Sequence, residues 1–276
     1  MAHDPGPGLR ALHRPGDPFI LANAWDRGSA QMLAALGAEA IGTTSAGHAF
    51  TLGRPDMGHV TRDEALAHAE DLVAATPLPV SGDFENGFGE APGTVAETIR
   101  LAAEAGLAGC SIEDTALPDT GAYPFDLALE RVKAAVAAAR ALPRDFVFVA
   151  RADGVMNGAY DFAEGLRRAK AYAEAGADCV YVPIPPALEE IATLCAAVDC
   201  PVNALAAGPF IKHSRAEYAA IGVARISLGS ALARVTHKAI SQAAHAMFGA
   251  GDFSLLRGMP GGAVDDLLQK GRRTDG

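Results

Sequence analysis

The chain has 276 residues, half of them hydrophobic, and a formal net charge of −10. That charge excludes nucleic acid and anionic membranes as partners, since either needs a basic face, and no apolar run approaches the roughly 20 residues that span a bilayer. The four cysteines form no CxxC pair and have no histidine at zinc spacing, so they read as thiols, with Cys110 and Cys179 inside apolar strands. The stretch Met1–Gly6 lacks the basic and apolar regions of a signal peptide. A soluble, cytoplasmic protein is therefore expected, and an anionic substrate would need local positive charge.

Along the chain one phrase repeats. After an N-terminal arm (1–16), short β-branched runs predict strands at Phe19–Ala22, Ala40–Thr44, Val80–Asp83, Gly109–Glu113, Phe146–Arg151, Cys179–Pro183, Val202–Leu205 and Ala224–Leu228. Alanine-rich amphipathic stretches such as Asp63–Ala75, Thr94–Ala105, Leu127–Leu142 and Phe162–Ala175 separate them. Gly37, Gly106, Gly176 and Gly222 stand where helices would end and the chain turns into the next strand. Strands without alternation, buried on both faces, belong to parallel sheets. Eight such units predict a single-domain (β/α)8 barrel spanning 1–276, and no Gly-x-Gly-x-x-Gly after the first strand supports a dinucleotide fold. A C-terminal extension (251–276) carries a Gly- and Pro-rich hinge and a further helix at Ala263–Lys270.

In such a barrel the C-terminal strand ends face one site, whatever their separation in sequence. Strand two ends in Thr43-Thr44-Ser45-Ala46-Gly47, hydroxyls and backbone N–H groups suited to a carboxylate or keto oxygen, and its loop carries Asp56. Strand three delivers Asp83 and Glu85, strand four Glu113 and Asp114, strand five Arg151 and Asp153, and strand seven Asn203. Two carboxylates one residue apart at a strand tip suit a hard cation such as Mg²⁺, with Mn²⁺ as a substitute. Asp83 as a turn or cap residue beside a solvated Glu85 is the alternative. Uncompensated, this many carboxylates on one rim would raise one another's pKa values, and Mg²⁺ with Arg151 would compensate them.

At these residues the chain resembles the isocitrate lyase/phosphoenolpyruvate mutase superfamily, from about Asn23 to Ala250. The resemblance rests on Thr44-Ser45-Ala46-Gly47, Leu52-Gly53-Arg54-Pro55-Asp56, Asp83-Phe84-Glu85-Asn86-Gly87-Phe88-Gly89, Ile112-Glu113-Asp114, Ala150-Arg151-Ala152-Asp153 and Ala173-Glu174-Ala175-Gly176-Ala177-Asp178, in the family's order. It implies a Mg²⁺-dependent barrel enzyme acting on small 2-oxo acids or phosphonates through a stabilised enolate. Asp83 would bind the metal, with Glu85 and Glu113 ligating directly or through water. Asp56 would orient metal-bound water or substrate, and Arg151 would contact the substrate carboxylate or the developing charge. Thr44, Ser45 and Ala46 would hold the substrate's carboxylate end, with Asn203 a further substrate-binding candidate. Family members are usually dimers of dimers that exchange the last helix, which implies a homo-oligomer and assigns that role to Ala263–Lys270.

Two departures shape the functional expectation. The family's Asp-x-Asp is Asp83-Phe84-Glu85 here. The loop Asp114–Tyr123 contains no Lys, Arg, His or Cys, where the lyases carry Lys-Lys-Cys-Gly-His and the phosphonopyruvate enzymes a lysine. Three readings follow: a carbon–carbon lyase or decarboxylase of small 2-oxo or hydroxy di-acids, with a later proton from water, Tyr123 or His48; a phosphonopyruvate-type C–P mutase or hydrolase; and a non-catalytic 2-oxo acid binder. His48 and His59 lie near the strand-two loop, the other histidines (His3 among them) read as surface or packing residues, and Asp26 caps the first helix or reaches the site.

Overall fold

The computed structural model describes residues 4–273; His3 lies outside them. Eight parallel strands close into a barrel in sequential order: β1 Phe19–Asn23, β2 Ala40–Gly42, β3 Val80–Asp83, β4 Gly109–Glu113, β5 Val147–Arg151, β6 Cys179–Tyr181, β7 Val202–Leu205 and β8 Arg225–Ser227. The helices in chain order are α1 Gly6–Leu12, α2 Arg27–Ala35, α3 Ser45–Thr51, α4 Arg62–Ala75, α5 Pro92–Glu104, α6 Phe125–Ala141, α7 Gly154–Asn157, α8 Phe162–Glu174, α9 Leu188–Ala197, α10 Arg215–Ala220, α11 Ala231–Ala250 and α12 Gly261–Gly271. The four helix-ending glycines all adopt positive φ, between 88° and 105°, a region an L side chain disfavours.

Three hydrophobic clusters hold this arrangement. Helices and the outer faces of the strands share one, with Leu72, Ile99, Leu107, Phe148 and Leu194 in it. A second fills the lower barrel with Phe19, Leu21, Val147, Val149, Cys179 and Tyr181. A third packs Ile191, Phe210, Tyr218 and Ile226 around β7 and β8. The N-terminal arm forms α1, whose Leu9 is fully buried against the second cluster and closes the barrel's N-terminal end. Arg10 of the same helix anchors it, pairing with Asp145 at 2.7 Å and Asp178 at 2.6 Å. The N-terminal end of the barrel interior is therefore covered by α1.

Strand two is shorter than expected. The Thr44 hydroxyl accepts from Gly47 N–H at 3.2 Å, and this N-cap starts α3 where a strand end was predicted. Asp26 caps α2 by accepting from Ser29 N–H at 2.7 Å, within a capping box. α12 packs on α2 of its own chain, with Gly271 against the Gln31 carbonyl; an exchange of Ala263–Lys270 between subunits is not shown by a single chain. The element with little cover is α11, where only Ala233 is buried and Val235, Ile240 and Phe248 are 63%, 65% and 87% exposed. Among the described residues no helix is long and apolar enough to cross a membrane.

Candidate active site

A cavity of about 650 Å³ opens at the C-terminal ends of the strands. Its two halves differ in chemistry. The arc from β2 to β5 contributes Ser45, Asp56, Asp83 and Arg151, whereas the loops after β5 to β8 contribute Met156, Ile184, Leu205, Ile211 and Val235. One side is charged and the other mainly apolar, with Arg225 and Arg234 at its β8 end.

Arg151, at the end of β5, organises the charged arc. Its Nη1 donates to Asp83 Oδ1 at 2.7 Å, its Nη2 lies 3.1 Å from Glu113 Oε2, and its Nε and Nη2 donate to Asp153 at 3.1 and 2.5 Å. Burial opposes the arginine's charge, but Asp153, Glu113 and Asp83 outweigh it and push its pKa up. Burial raises the Glu113 carboxyl well above the usual range, Asp153 adds to this, and Arg151 opposes it. Asp153, fully buried, is likewise raised by burial against the pull of Arg151. Three carboxylates thus share one guanidinium, and the excess negative charge shows in the raised pKa values.

Asp83 is fixed from both sides. Its second oxygen accepts from Ser45 N–H at 3.0 Å and from the Ser45 hydroxyl at 2.9 Å, and its own N–H donates to Thr43 Oγ1 at 2.7 Å. Asp56 approaches the same serine, and its carboxyl is raised by burial, with Asp83 adding to the shift. Glu85 adopts φ 45°, a left-handed conformation that strains a non-glycine residue. Its Oε1 accepts from Gly58 N–H at 3.0 Å, and burial, with Asp83 and Asp56 nearby, pushes it up to about 7. It is therefore not a solvated surface glutamate. Arg131 of α6 pins this loop by donating to the carbonyls of Asn86, Gly89 and Glu90 while stacking 4.2 Å over the Tyr123 ring.

Several predicted rim residues stand elsewhere. Asp114 points behind the barrel wall, accepting from Arg168 Nη1 at 2.9 Å, the Tyr160 hydroxyl at 2.8 Å, the Tyr172 hydroxyl at 3.1 Å and Asp153 N–H at 2.8 Å. It buttresses Asp153 rather than facing the cavity. Asn203 lies inside the barrel, 1% exposed, with its amide engaged by Arg225 at 2.8 Å and Ser227 at 2.9 Å. The Thr44 hydroxyl is committed to capping α3, and Ala46 lines the cavity. His48 stacks on His68 at 3.9 Å, and burial holds it down to about 4, so it is neutral at neutral pH. His59 is exposed.

Sequence reasoning missed Asn23. Its Oδ1 accepts from Leu228 and Gly229 N–H at 2.8 and 3.1 Å, while Nδ2 donates to the Thr43 carbonyl at 2.6 Å. A Cβ at Gly42 would lie 2.7 Å from that amide, so only glycine leaves room for the staple. Its lone signal was a polar residue closing an apolar strand. Arg225, also missed, sits inside β8 and reaches the cavity floor.

The donors on the charged arc are all oxygens, as a hard divalent cation prefers, and the raised carboxyls are what a cation would relieve. Among the described residues no three His, Cys, Asp or Glu side chains converge as ligands, so Asp83, Glu85 and Glu113 are not a preassembled three-ligand cage. Mg²⁺ commonly binds through one or two carboxylates and keeps its waters. The residues fit that mode.

A closed parallel barrel with a charged, open C-terminal face defines a (β/α)8-barrel enzyme scaffold. The phosphoenolpyruvate phosphomutase family profile matches residues 9–248, and the chain belongs to this family, within the isocitrate lyase/phosphoenolpyruvate mutase superfamily of lyases and mutases. It is 38% identical over 222 residues to an uncharacterized protein of Mycobacterium tuberculosis (strain CDC 1551 / Oshkosh), covering 79% of this chain and 80% of that one. It is 33% identical to the 2,3-dimethylmalate lyase of Eubacterium barkeri, over 66% of this chain and 64% of that enzyme. A crystal structure from Burkholderia cenocepacia J2315, provisionally described as a lyase/mutase, matches with TM-score 0.90 and 47% identity, covering 95% of this chain and 94% of that one.

Proposed function

We propose that this protein is a Mg²⁺-dependent carbon–carbon lyase or decarboxylase of small 2-oxo or hydroxy di-acids, working through an enolate. The observation that carries the reading is the Arg151 cluster with Asp83 and Glu113, which meets the cavity through Arg151 and Asp83, beside a strand-four loop without any basic or thiol side chain. Asp83 would hold the metal, with Glu85 and Glu113 ligating directly or through water. Mg²⁺, or Mn²⁺ in its place, supplies Lewis acidity at the substrate's oxygens when bound.

The chain's own groups do the rest. Arg151 is oriented by three carboxylates before substrate arrives, so its guanidinium stabilises developing negative charge without reorganising. Ser45 and Asp56 lie beside Asp83, where they would position substrate or water, and Thr44 and Ala46 shape the carboxylate end. The apolar arc excludes water from the substrate's C3 side and accepts an alkyl substituent there. Decarboxylation needs no protein base to begin. His48, held neutral by burial, keeps one ring N–H but lacks the acidic proton of an imidazolium, so water or Tyr123 is the favoured source of the later proton.

A panel assay of 2-oxo and hydroxy di-acids with purified enzyme and Mg²⁺ tests this reading. Turnover abolished in Asp83→Ala supports it, and no turnover of any member sinks it. One observation favours a second reading, a phosphonopyruvate-type C–P mutase or hydrolase: Arg225 and Arg234 line the cavity and supply positive charge beyond Arg151. Phosphate release from phosphonopyruvate, compared with Asp83→Ala, separates the two. Tight 2-oxo acid binding without turnover would instead point to a binder. The exposed apolar side chains of α11, with Phe253, Leu255 and Leu256, fit a subunit contact, so we also propose a cytoplasmic homo-oligomer.

A further inference from the structure

Arg225 is a buried guanidinium without a counter-charge. Its side chain is 3% exposed, its Nε donates to Asn203 Oδ1 at 2.8 Å, and its Nη1 is buried with no hydrogen-bond partner. No Asp or Glu among the described residues lies within ion-pair distance of it. This differs sharply from Arg151, which lines the same cavity and touches three carboxylates, Asp83, Glu113 and Asp153. A buried charge is costly unless something pairs with it, and an arginine cannot escape by losing its proton.

The other orphaned atom in its field is Nε2 of His13. The His13 Nδ1 lies 2.9 Å from the Leu9 carbonyl and donates to it, which leaves Nε2 as a neutral acceptor. A neutral acceptor does not balance the guanidinium. Arg225 instead lines the cavity floor with Ser81, Ser111 and Ser227, hydroxyls that can complete the coordination of an oxyanion.

We propose that Arg225 is an anion anchor at the cavity floor, taking one carboxylate of the small di-acid while the reacting carbons lie higher, beside Asp83 and Arg151. This rests on the di-acid reading above and deepens it: the substrate must be short enough to lie within one cavity and carry a charged end that reaches down the barrel. A neutral end at that position leaves the guanidinium unpaired, so mono-acids of similar shape bind more weakly.

The test is calorimetric titration of oxalate into metal-free protein, comparing wild type, Arg225→Gln and Arg225→Lys, with circular dichroism to confirm folding. Arg225→Gln is expected to weaken oxalate binding at least tenfold, roughly the worth of a charge-assisted pair, and Arg225→Lys to recover part of it. Unchanged affinity in a folded Arg225→Gln overturns the proposal, as does a wild type that binds no oxalate. If Arg225→Gln does not fold, wild-type crystals soaked in bromide decide: an anomalous peak on the cavity side within hydrogen-bond distance of the Arg225 guanidinium supports the anchor, and its absence overturns it. Bromide there with oxalate affinity unaffected means an adventitious ion only, which also overturns it. Because the titration omits metal, oxalate binding as expected with no Mg²⁺-dependent turnover would sink the catalytic reading and leave the anchor standing.

Discussion

Arg151 Nη1 donates to Asp83 Oδ1 at 2.7 Å, joining two residues 68 positions apart in sequence across the barrel mouth. The bond couples the end of β5 to the end of β3, and through the second oxygen of Asp83 it extends to Ser45 at the start of α3. The charged arc therefore behaves as one unit, and removing any member exposes the others.

Replacing Arg151 by lysine keeps the charge but loses the planar fork that reaches three carboxylates. Loss of such a preoriented donor is expected to lower kcat by about 10²–10³-fold. Steady-state kinetics on the substrate found in the panel assay would check this. Arg151→Met also leaves buried carboxylates uncompensated and should destabilise the fold by about 3–5 kcal/mol in denaturant unfolding.

The Glu85 carboxyl, pushed up to about 7 in the fold, has an ordinary value of 4.5 when unfolded. A raised acid contributes stability below its unfolded value, and that stability is lost as pH rises through the folded one. Wild type should lose stability relative to Glu85→Gln between about pH 4.5 and 7, by a few kcal/mol as an order of magnitude. Thermal melts of both proteins across that window would show it. A wild type that gains stability relative to Glu85→Gln over the same range would contradict this environment.

Mg²⁺ bound to Asp83 and its neighbours would stabilise the folded state by mass action, and ionised carboxylates bind it better. Millimolar Mg²⁺ should therefore raise the wild-type melting temperature more at pH 8 than at pH 5. Asp83→Ala should abolish most of the difference. An equal rise in Asp83→Ala would remove Asp83 from the metal site.

Asp114 is a test of placement. Its pair with Arg168 is buried on both sides, at 3% and 6% exposure. Asp114→Asn should cost about 3 kcal/mol of stability, because it removes the buried counter-ion of Arg168 Nη1 and leaves that guanidinium only its pair with Glu164, at 2.8 Å on the outer side. Chemical denaturation would register the loss, whereas a residue facing the open cavity could be changed at little structural cost.

The barrel was legible because its signal is local and repeated. Strands β3, β4 and β7 lie where apolar runs placed them, and the glycines that end helices carry the positive φ their position implied. Strand two was misjudged at Thr44 because a threonine closing a β-branched run and a threonine capping a helix look alike until Gly47 folds back to it. Asp83, Arg151 and Glu113 were legible as a set because strand ends must converge in this fold. Asp114 follows Glu113 in sequence yet faces the other side of the wall, since successive residues of a strand point opposite ways. Asn23 and Arg225 lay outside the sequence reading because their meaning depends on partners some 20 to 206 residues away.

The sequence by itself determined the parallel barrel, the family and the acidic rim, because hydrophobic period, glycine stops and strand-end residues are properties of short segments. Only the tertiary structure decided which charges meet. Burial and distance set the pKa of Glu85, turned Asp114 into a buttress, committed Asn203 to the barrel interior and left Arg225 without a counter-ion. Electrostatic energy depends on separation and on the surrounding dielectric, and neither exists until the strands have closed.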